Sequence, residues 1–523
     1  MRTTSKKAIL FLASALYLIM SATPLYADDT EIFTGKAAGS TSAKPNVLFI
    51  VDTSGSMGYN YIDVPNGLYN AATTYTGSCD PSRYYWSSDG TPPKCSSSNQ
   101  YLKASLFKCD DASSALGTSG SGYYIGRFAR YRTSTSGDYW TKLVDNTNEY
   151  VECAADYGVH GNGSNTSNLY PADQNDGGPW KANNTNALDW ATAGDSYTIY
   201  TANYINYLNT NGSTVSLSRL TIVQDALKNL IDSSSGINAA LMRFDARQGN
   251  CYWWGCQSIS KGGSFAQAMQ DINSSTRAGF KSSIDNLTSY GLTPLAETLY
   301  EAMLYYRGEH VDFGKNAVPT NVSSVLDPKD TSRYKSPIKF QCSKNFVVLL
   351  TDGDPVGDSD ADKLINHGNT GAPFNDQFPG LAPSAKTNIC GYSADDCLAD
   401  LAGYMYNNDQ SALPEKQNII TYTIGFASGI SKSGQALLIN TAKEGGSTGG
   451  NVDKNQNVGY YTANSSNDLA KVFTSIITDI SKISTTFVSP AVSVNAFNRL
   501  TNRNDLYFAL FRPTINYRWP GNL

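Results

Sequence analysis

The stretch Asn46–Met57, NVLFIVDTSGSM, decides how this chain is read. Val47 to Val51 is an uninterrupted apolar run, short and rich in Val, Ile and Phe, and it reads as a parallel strand buried on both faces. The run ends in Asp52, and Ser54 and Ser56 follow at a spacing of two. Gly55 between them lets the chain turn tightly. One carboxylate and two hydroxyls at the C-terminal edge of a strand suit a hard divalent cation held by oxygen. That edge is also where open α/β sheets hold their ligands.

Two later stretches extend the pattern. GLTPLAETLY places Thr293 just before a helical run, and NFVVLLTDGDP places Asp352 at the end of a second apolar strand. A strand-end Asp alone reads equally well as a loop cap. Together and in this order, the three pieces resemble the metal-ion-dependent adhesion site of von Willebrand factor A domains, over residues 45–58 and 216–485. The resemblance implies an α/β, Rossmann-type fold with a parallel sheet covered by helices on both faces. It implies that Asp52, Ser54, Ser56 and Thr293 bind a divalent cation directly or through water, and that Asp352 binds it or orients a water. Mg2+, which keeps waters and prefers octahedral oxygen geometry, is the expected ion, with Ca2+ or Mn2+ as alternatives. A vacant position would then accept a partner's carboxylate.

The chain has 523 residues, enough for more than one domain, and 40% apolar content supports a sizeable core. A net charge of −5 makes nucleic acid an unexpected partner. Only 16% of residues are charged, while 34 are Tyr. Such Tyr-rich, weakly charged surfaces suit contact outside the cell. Residues 1–27 read as a secretory signal: Lys6 and Lys7 precede the apolar run Ala8 to Met20, which is short for a membrane span. An uncleaved anchor is the alternative. No later stretch is apolar enough to span a bilayer, so no transmembrane segment is expected after cleavage. Residues 28–44 read as a flexible lead-in.

Nine cysteines in an exported chain point to disulfides: Cys79, Cys95, Cys109, Cys153, Cys251, Cys256, Cys342, Cys390 and Cys397. Cys251 with Cys256 is a plausible short-range pair, and Cys390 could join Cys397 or Cys342. The odd number leaves one thiol free or one partner missing.

After Met57 the expected first helix is delayed to Leu217–Ile231, where Leu220, Val223, Leu227, Leu230 and Ile231 share one face. Residues 59–215 read as an insertion of short strands and loops held by disulfides, with 18 of the 34 Tyr and four Cys. Leaving the metal loop, it is expected to overhang the ion, as a partner-binding subdomain or else as a spacer or lid. Strand and helix patterns then alternate: a strand at 237–244, a loop or hairpin at 245–275 carrying CYWWGC, helices at 274–287 and 295–306, a strand at 345–350, a helix at 394–406, a strand at 419–426, a helix at 435–443, a strand at 459–461 and a closing helix at 468–483. Asp358, Asp360 and Asp362 alternate but miss the EF-hand pattern, and read as acids near a helix start. Asp453, Asn455 and Asn457 read as a turn. Residues 486–523 alternate like β structure and are expected to open another β domain whose remainder is missing, propeller-like by the family resemblance that follows.

The export signal, the interrupted metal loop, CSKNFVVLLTDGDP and the closing FRPTINYRWPGNL together resemble the tip-associated adhesins of type IV pili, the PilC/PilY family. The resemblance implies an adhesin and assembly factor at the pilus tip on the cell surface, with periplasm or outer membrane as alternatives. Its implied partners are minor pilins and a host or abiotic surface ligand, and its implied roles are pilus biogenesis, attachment and twitching motility. A secreted metal-site interaction or matrix protein unrelated to pili is the other reading. No GxSxG, HExxH or phosphate-binding glycine loop is present, so an enzyme is not expected.

Overall fold

The computed structural model describes residues 44–483, apart from 97, 134–137, 156–168, 172–178, 183–187, 189, 211, 253–254, 342, 359, 361–396 and 453–456, and also strands at 487–494, 502–511 and 521–522. Its centre is a six-stranded sheet. In chain order the strands are β1 (Asn46–Val51), β2 (Asn238–Phe244), β3 (Gly263–Asp271), β4 (Asn345–Thr351), β5 (Ile419–Phe426) and β6 (Tyr460–Ala463). Their spatial order is β3-β2-β1-β4-β5-β6, parallel throughout except for the antiparallel edge strand β3. The helices are α1 (Arg219–Ser233), α2 (Arg277–Asp285), α3 (Leu295–Arg307), α4 (Cys397–Asn407), α5 (Lys432–Glu444) and α6 (Ser466–Ile483).

The central strand shows why both faces are covered. Val47, Phe49 and Val51 pack in one cluster with Val223 and Leu230 of α1, Phe280 of α2, and Phe473 and Ile476 of α6. Leu48 and Ile50 point the other way and join Leu299 and Met303 of α3 and Leu401 and Met405 of α4. Side chains alternate across a strand, so an all-apolar strand needs a helical layer on each side.

Strand β3 departs from the expected loop at 245–275. A hairpin (248–252 with 255–258) does occupy the first half, but Gly263–Asp271 pairs antiparallel with β2. GSFAQAMQD has little β-branched character, and its strand state comes from the partner it finds, a non-local cause that propensity does not register.

The insertion leaves and returns through a two-stranded stem, Tyr61–Pro65 paired with Thr214–Ser218. Beyond it lies an antiparallel sheet in which Asp195–Thr201 pairs with Arg83–Ser87 and with Tyr123–Arg132. Disulfides Cys79–Cys95 and Cys109–Cys153 close chain separations of 16 and 44 residues; chain-entropy reasoning assigns them about 3 and about 4 kcal/mol. Cys397 is also disulfide-bonded. Cys251 lies opposite Cys256 in the hairpin register. Cys342 and Cys390 lie outside the described residues.

The sheet of the insertion packs on the flank of the α/β domain, where an overhang of the metal loop was expected. It lies along α1 and α6. Tyr123, Ile125, Tyr200, Tyr204 and Tyr207 share one apolar cluster with those two helices. Ile125 bridges to Ser234, just past the C-terminal end of α1. That helix has 15 residues, so its two ends are about 22 Å apart. Arg277 of α2 clamps the same region through Asp111 at 2.8 Å and the Ser234 carbonyl at 2.7 Å. The physical reason is burial: the Tyr-rich face of the insertion and the outward apolar face of α1 and α6 cover each other.

A three-stranded antiparallel sheet is formed by 487–494, 502–511 and 521–522. Among the described residues no helix is long and apolar enough to cross a membrane.

Candidate metal centre

Strands β1 and β4 are adjacent and in register, so they end side by side and bring Asp52 next to Thr351 and Asp352. Asp52 is fully buried. Its Oδ1 accepts the Ser54 N–H at 2.7 Å. Its Oδ2 accepts the Thr351 hydroxyl at 2.7 Å and the Asp352 N–H at 3.3 Å. One carboxylate thus orders its own loop and ties it to the next strand end. Ser54 occupies the N-cap position of the short helix Gly55–Tyr59, yet its hydroxyl makes no cap bond. It faces Ser56 instead, with the two Oγ atoms 2.9 Å apart. Ser56 donates to Asp352 Oδ1 at 2.5 Å.

Thr293 lies on a third loop that is fastened to the first by backbone bonds. Tyr290 N–H donates to the Thr53 carbonyl at 2.8 Å and Gly55 N–H to the Gly291 carbonyl at 3.2 Å. Thr293 is 5% exposed. Its hydroxyl has no hydrogen-bond partner among the described residues. The structure therefore joins Asp52, Ser54, Ser56 and Asp352 in one hydrogen-bonded network and holds the Thr293 loop against it.

Gly291 makes that closure feasible. Its φ is +98°, and a Cβ there would meet Ser260 Oγ and lie 3.0 Å from the Asp245 carbonyl. Gly291→Ala should therefore cost about 1–3 kcal/mol of stability and displace Thr293. Thermal denaturation and divalent-cation titration check it; an unchanged melting temperature would refute the tight-turn argument.

Three supporting residues escaped the sequence reading. Thr351 braces Asp52, and Thr53 Oγ1 accepts the Phe244 N–H at 3.1 Å. Arg219, the first residue of α1, donates from Nη1 to Asp352 Oδ2 at 2.7 Å. Thr351 and Thr53 sit inside the motifs and could have been flagged by position. Arg219 gave no signal, because 133 residues separate it from Asp352.

The Asp52 carboxyl is pushed up to about 6 by burial first and by the Asp352 charge second, with bonds from Ser54 and Thr351 pulling it back. Two buried carboxylates thus lie close together, and Arg219 pairs with one of them. Among the described residues no group of three or more His, Cys, Asp or Glu converges to hold a metal. A cation at this edge would be held by carboxylate and hydroxyl oxygens, directly or through water, a set that suits a hard ion and disfavours zinc-type coordination. The residues fit such an ion.

Burial also pushes up Asp225, to about 6, and Glu297 and Glu301, to about 7. Glu297 accepts the N–H groups of Gly262 and Asp360, and Glu301 those of Asp312 and Phe313. Each folded-state value lies above its unfolded value, so folding takes up protons and stability is lost as pH rises through these values. Metal-free protein should therefore melt at a lower temperature near pH 7.5 than near pH 5.5. A scan in EDTA tests it; an opposite slope would contradict the burial of these acids.

Asp358 supplies an acid at a helix start, though not its own helix. Its carboxylate accepts the N–H groups of Ala296 and Glu297 at 2.9 and 3.1 Å, capping α3 where Pro294 has no side-chain donor or acceptor to offer. Asp360 pairs with Lys261. Asp362, Asp453 and Asn455 lie outside the described residues, and Asn457 accepts the Gly449 N–H at 3.1 Å.

Five parallel strands, an antiparallel edge next to β2, helices on both faces and an oxygen-rich site at the ends of β1 and β4 define the architecture. The fold is von Willebrand factor A-like. Residues 83–210, within the insertion, match a family described as a domain of unknown function (DUF8355). No curated protein matches the chain. Similar solved structures include a von Willebrand factor type A protein from Catenulispora acidiphila, at 12% identity over 52% of this chain and 40% of that one, with a TM-score of 0.27. The PilB minor pilin from Streptococcus sanguinis is 13% identical over 72% of this chain and 92% of that one, with a TM-score of 0.26. Proximal thread matrix protein 1 from the mussel byssus is 13% identical over 52% of this chain, with a TM-score of 0.24, and the match spans 44% of that protein. Likenesses this distant carry no argument about function, which rests on the chain's own residues.

Proposed function

We propose that this chain is an exported adhesion and assembly protein of the type IV pilus tip, which captures partners through a divalent cation at the ends of β1 and β4. The observation that carries the binding reading is the convergence of Asp52, Ser54, Ser56 and Asp352 in one largely buried network with the Thr293 loop fastened beside it. Asp52 orders the loop through Ser54 and Thr351, and the two serine hydroxyls lie side by side as a pair of neutral oxygen donors. A bound Mg2+, preferred here over Ca2+ or Mn2+, supplies a vacant coordination position for a partner's carboxylate. Because most of the donors are neutral, the ion stays under-neutralised and attracts an anion. That is recognition and not catalysis.

The disulfides support an oxidising, extracytoplasmic location. The pilus assignment is supported by the sequence resemblance alone. Its proposed partners are minor pilins and a host or abiotic surface ligand. The test is co-purification of full-length protein with the minor pilins of its own cell, in Mg2+ and in EDTA. Capture in Mg2+ that is lost in EDTA is the expected result. Capture of other carboxylate-bearing proteins and no pilins would leave a metal-dependent binder and remove the pilus; capture indifferent to EDTA would remove the metal.

A further inference from the structure

We propose that Arg219 is the fixed counter-cation of the metal centre: by pairing with Asp352 it keeps that carboxylate from coordinating directly, weakens ion affinity and makes the bound ion select an anionic partner. This rests on the metal-binding reading above. Arg219 Nη1 lies 2.7 Å from Asp352 Oδ2 and 3.5 Å from the Asp352 carbonyl. The two side chains are 11% and 0% exposed, so solvent screens the pair weakly. The other Asp352 oxygen is taken by Ser56. Both oxygens are thus engaged by the protein.

The niche is built for the guanidinium. A Cβ on Gly429 would lie 2.6 Å from the Asp352 carbonyl and 2.9 Å from Arg219 Nη1, so a side chain at 429 would push the pair apart. Arg219 Nε is buried with no hydrogen-bond partner, which leaves the carboxylate pairing as what holds the group here. Arg219 N–H also donates to the Asn60 carbonyl at 3.1 Å. The arginine is therefore set between the insertion stem and the site.

Charge counting gives the consequence. Two carboxylates, one guanidinium and one divalent ion sum to one positive charge, which a partner carboxylate neutralises. Without the guanidinium the sum is zero and the attraction for an anion falls. Removing a positive charge this close also strengthens the binding of another cation.

The test titrates Mn2+ calorimetrically into the full chain, with and without acetate as the carboxylate probe. Arg219→Met should bind Mn2+ about tenfold more tightly than wild type and lose the coupling between acetate and Mn2+. Arg219→Lys, which keeps the charge, should stay near wild type. Arg219→Gln, able to hydrogen-bond but neutral, should behave as the Met variant and serves if that one does not fold. In an Asp352→Asn background the Arg219→Met change should tighten Mn2+ by less than it does with Asp352 present. Folded Met or Gln variants with unchanged or weaker Mn2+ affinity overturn the proposal. A wild-type protein that binds no Mn2+ overturns the metal reading itself.

Discussion

Asp52→Asn should abolish the rise in melting temperature that Mg2+ gives the wild-type protein, while the metal-free variant stays at least as stable near pH 7. The two halves have separate causes. At an Mg2+ concentration ~100 times the dissociation constant, a single native-state site stabilises by about 2.7 kcal/mol, and that gain vanishes with the site. Asp52 bonds to Ser54, Thr351 and Asp352 at once. Asparagine keeps the shape and one acceptor but removes a charge that burial and Asp352 already disfavour. Deleting a buried carboxylate with so raised a pKa relieves metal-free protein by up to about 3 kcal/mol, which offsets the imperfect hydrogen bond left to the Asp352 N–H. Differential scanning fluorimetry in Mg2+ and in EDTA measures both. An Mg2+ shift that survives in the variant would remove Asp52 from the site.

Excising residues 59–215 should not leave a soluble α/β domain. An insertion on a two-stranded stem is, by topology alone, the kind of segment a domain can lose. The packing reverses this. Tyr123, Tyr200, Tyr204 and Tyr207 are at most 6% exposed and share a cluster with α1 and α6. Tyr204 lies 5.1 Å from the Tyr69 ring and 5.2 Å from that of Tyr123. Each such side chain contributes about 2–3 kcal/mol on burial, and their loss would also uncover the apolar flank of both helices. Several such terms exceed the ~5–15 kcal/mol by which domains are stable. The excised protein should therefore aggregate or remain unfolded by circular dichroism. Tyr204→Ala in the full chain should lose about 3–5 kcal/mol in chemical denaturation. A cooperative, monomeric excised domain would show that the insertion is docked and not integral.

Those two outcomes also mark how far the sequence reaches. The buried run of β1, the stripe of α6 and the strand of β4 follow from periodicity within a few residues, because each is a local pattern. Asp52, Ser54 and Ser56 stand together in the chain, so their neighbourhood is visible before any folding. Thr293 and Asp352 are reached only through resemblance, and the strand register then brings Asp352 beside Asp52. Edge strand β3 escaped, because its state depends on β2. Arg219 escaped, because nothing local ties it to Asp352 across 133 residues of chain.

By itself, then, the sequence determined most strands and helices of the α/β domain, edge strand β3 apart, and which loop carries clustered oxygen donors. Those are properties of short windows, set by alternation, helical spacing and small polar residues at strand ends. The tertiary structure decided where the insertion packs and what neutralises Asp352. These depend on contacts between residues far apart in the chain. The insertion follows the apolar surface along α1 and α6.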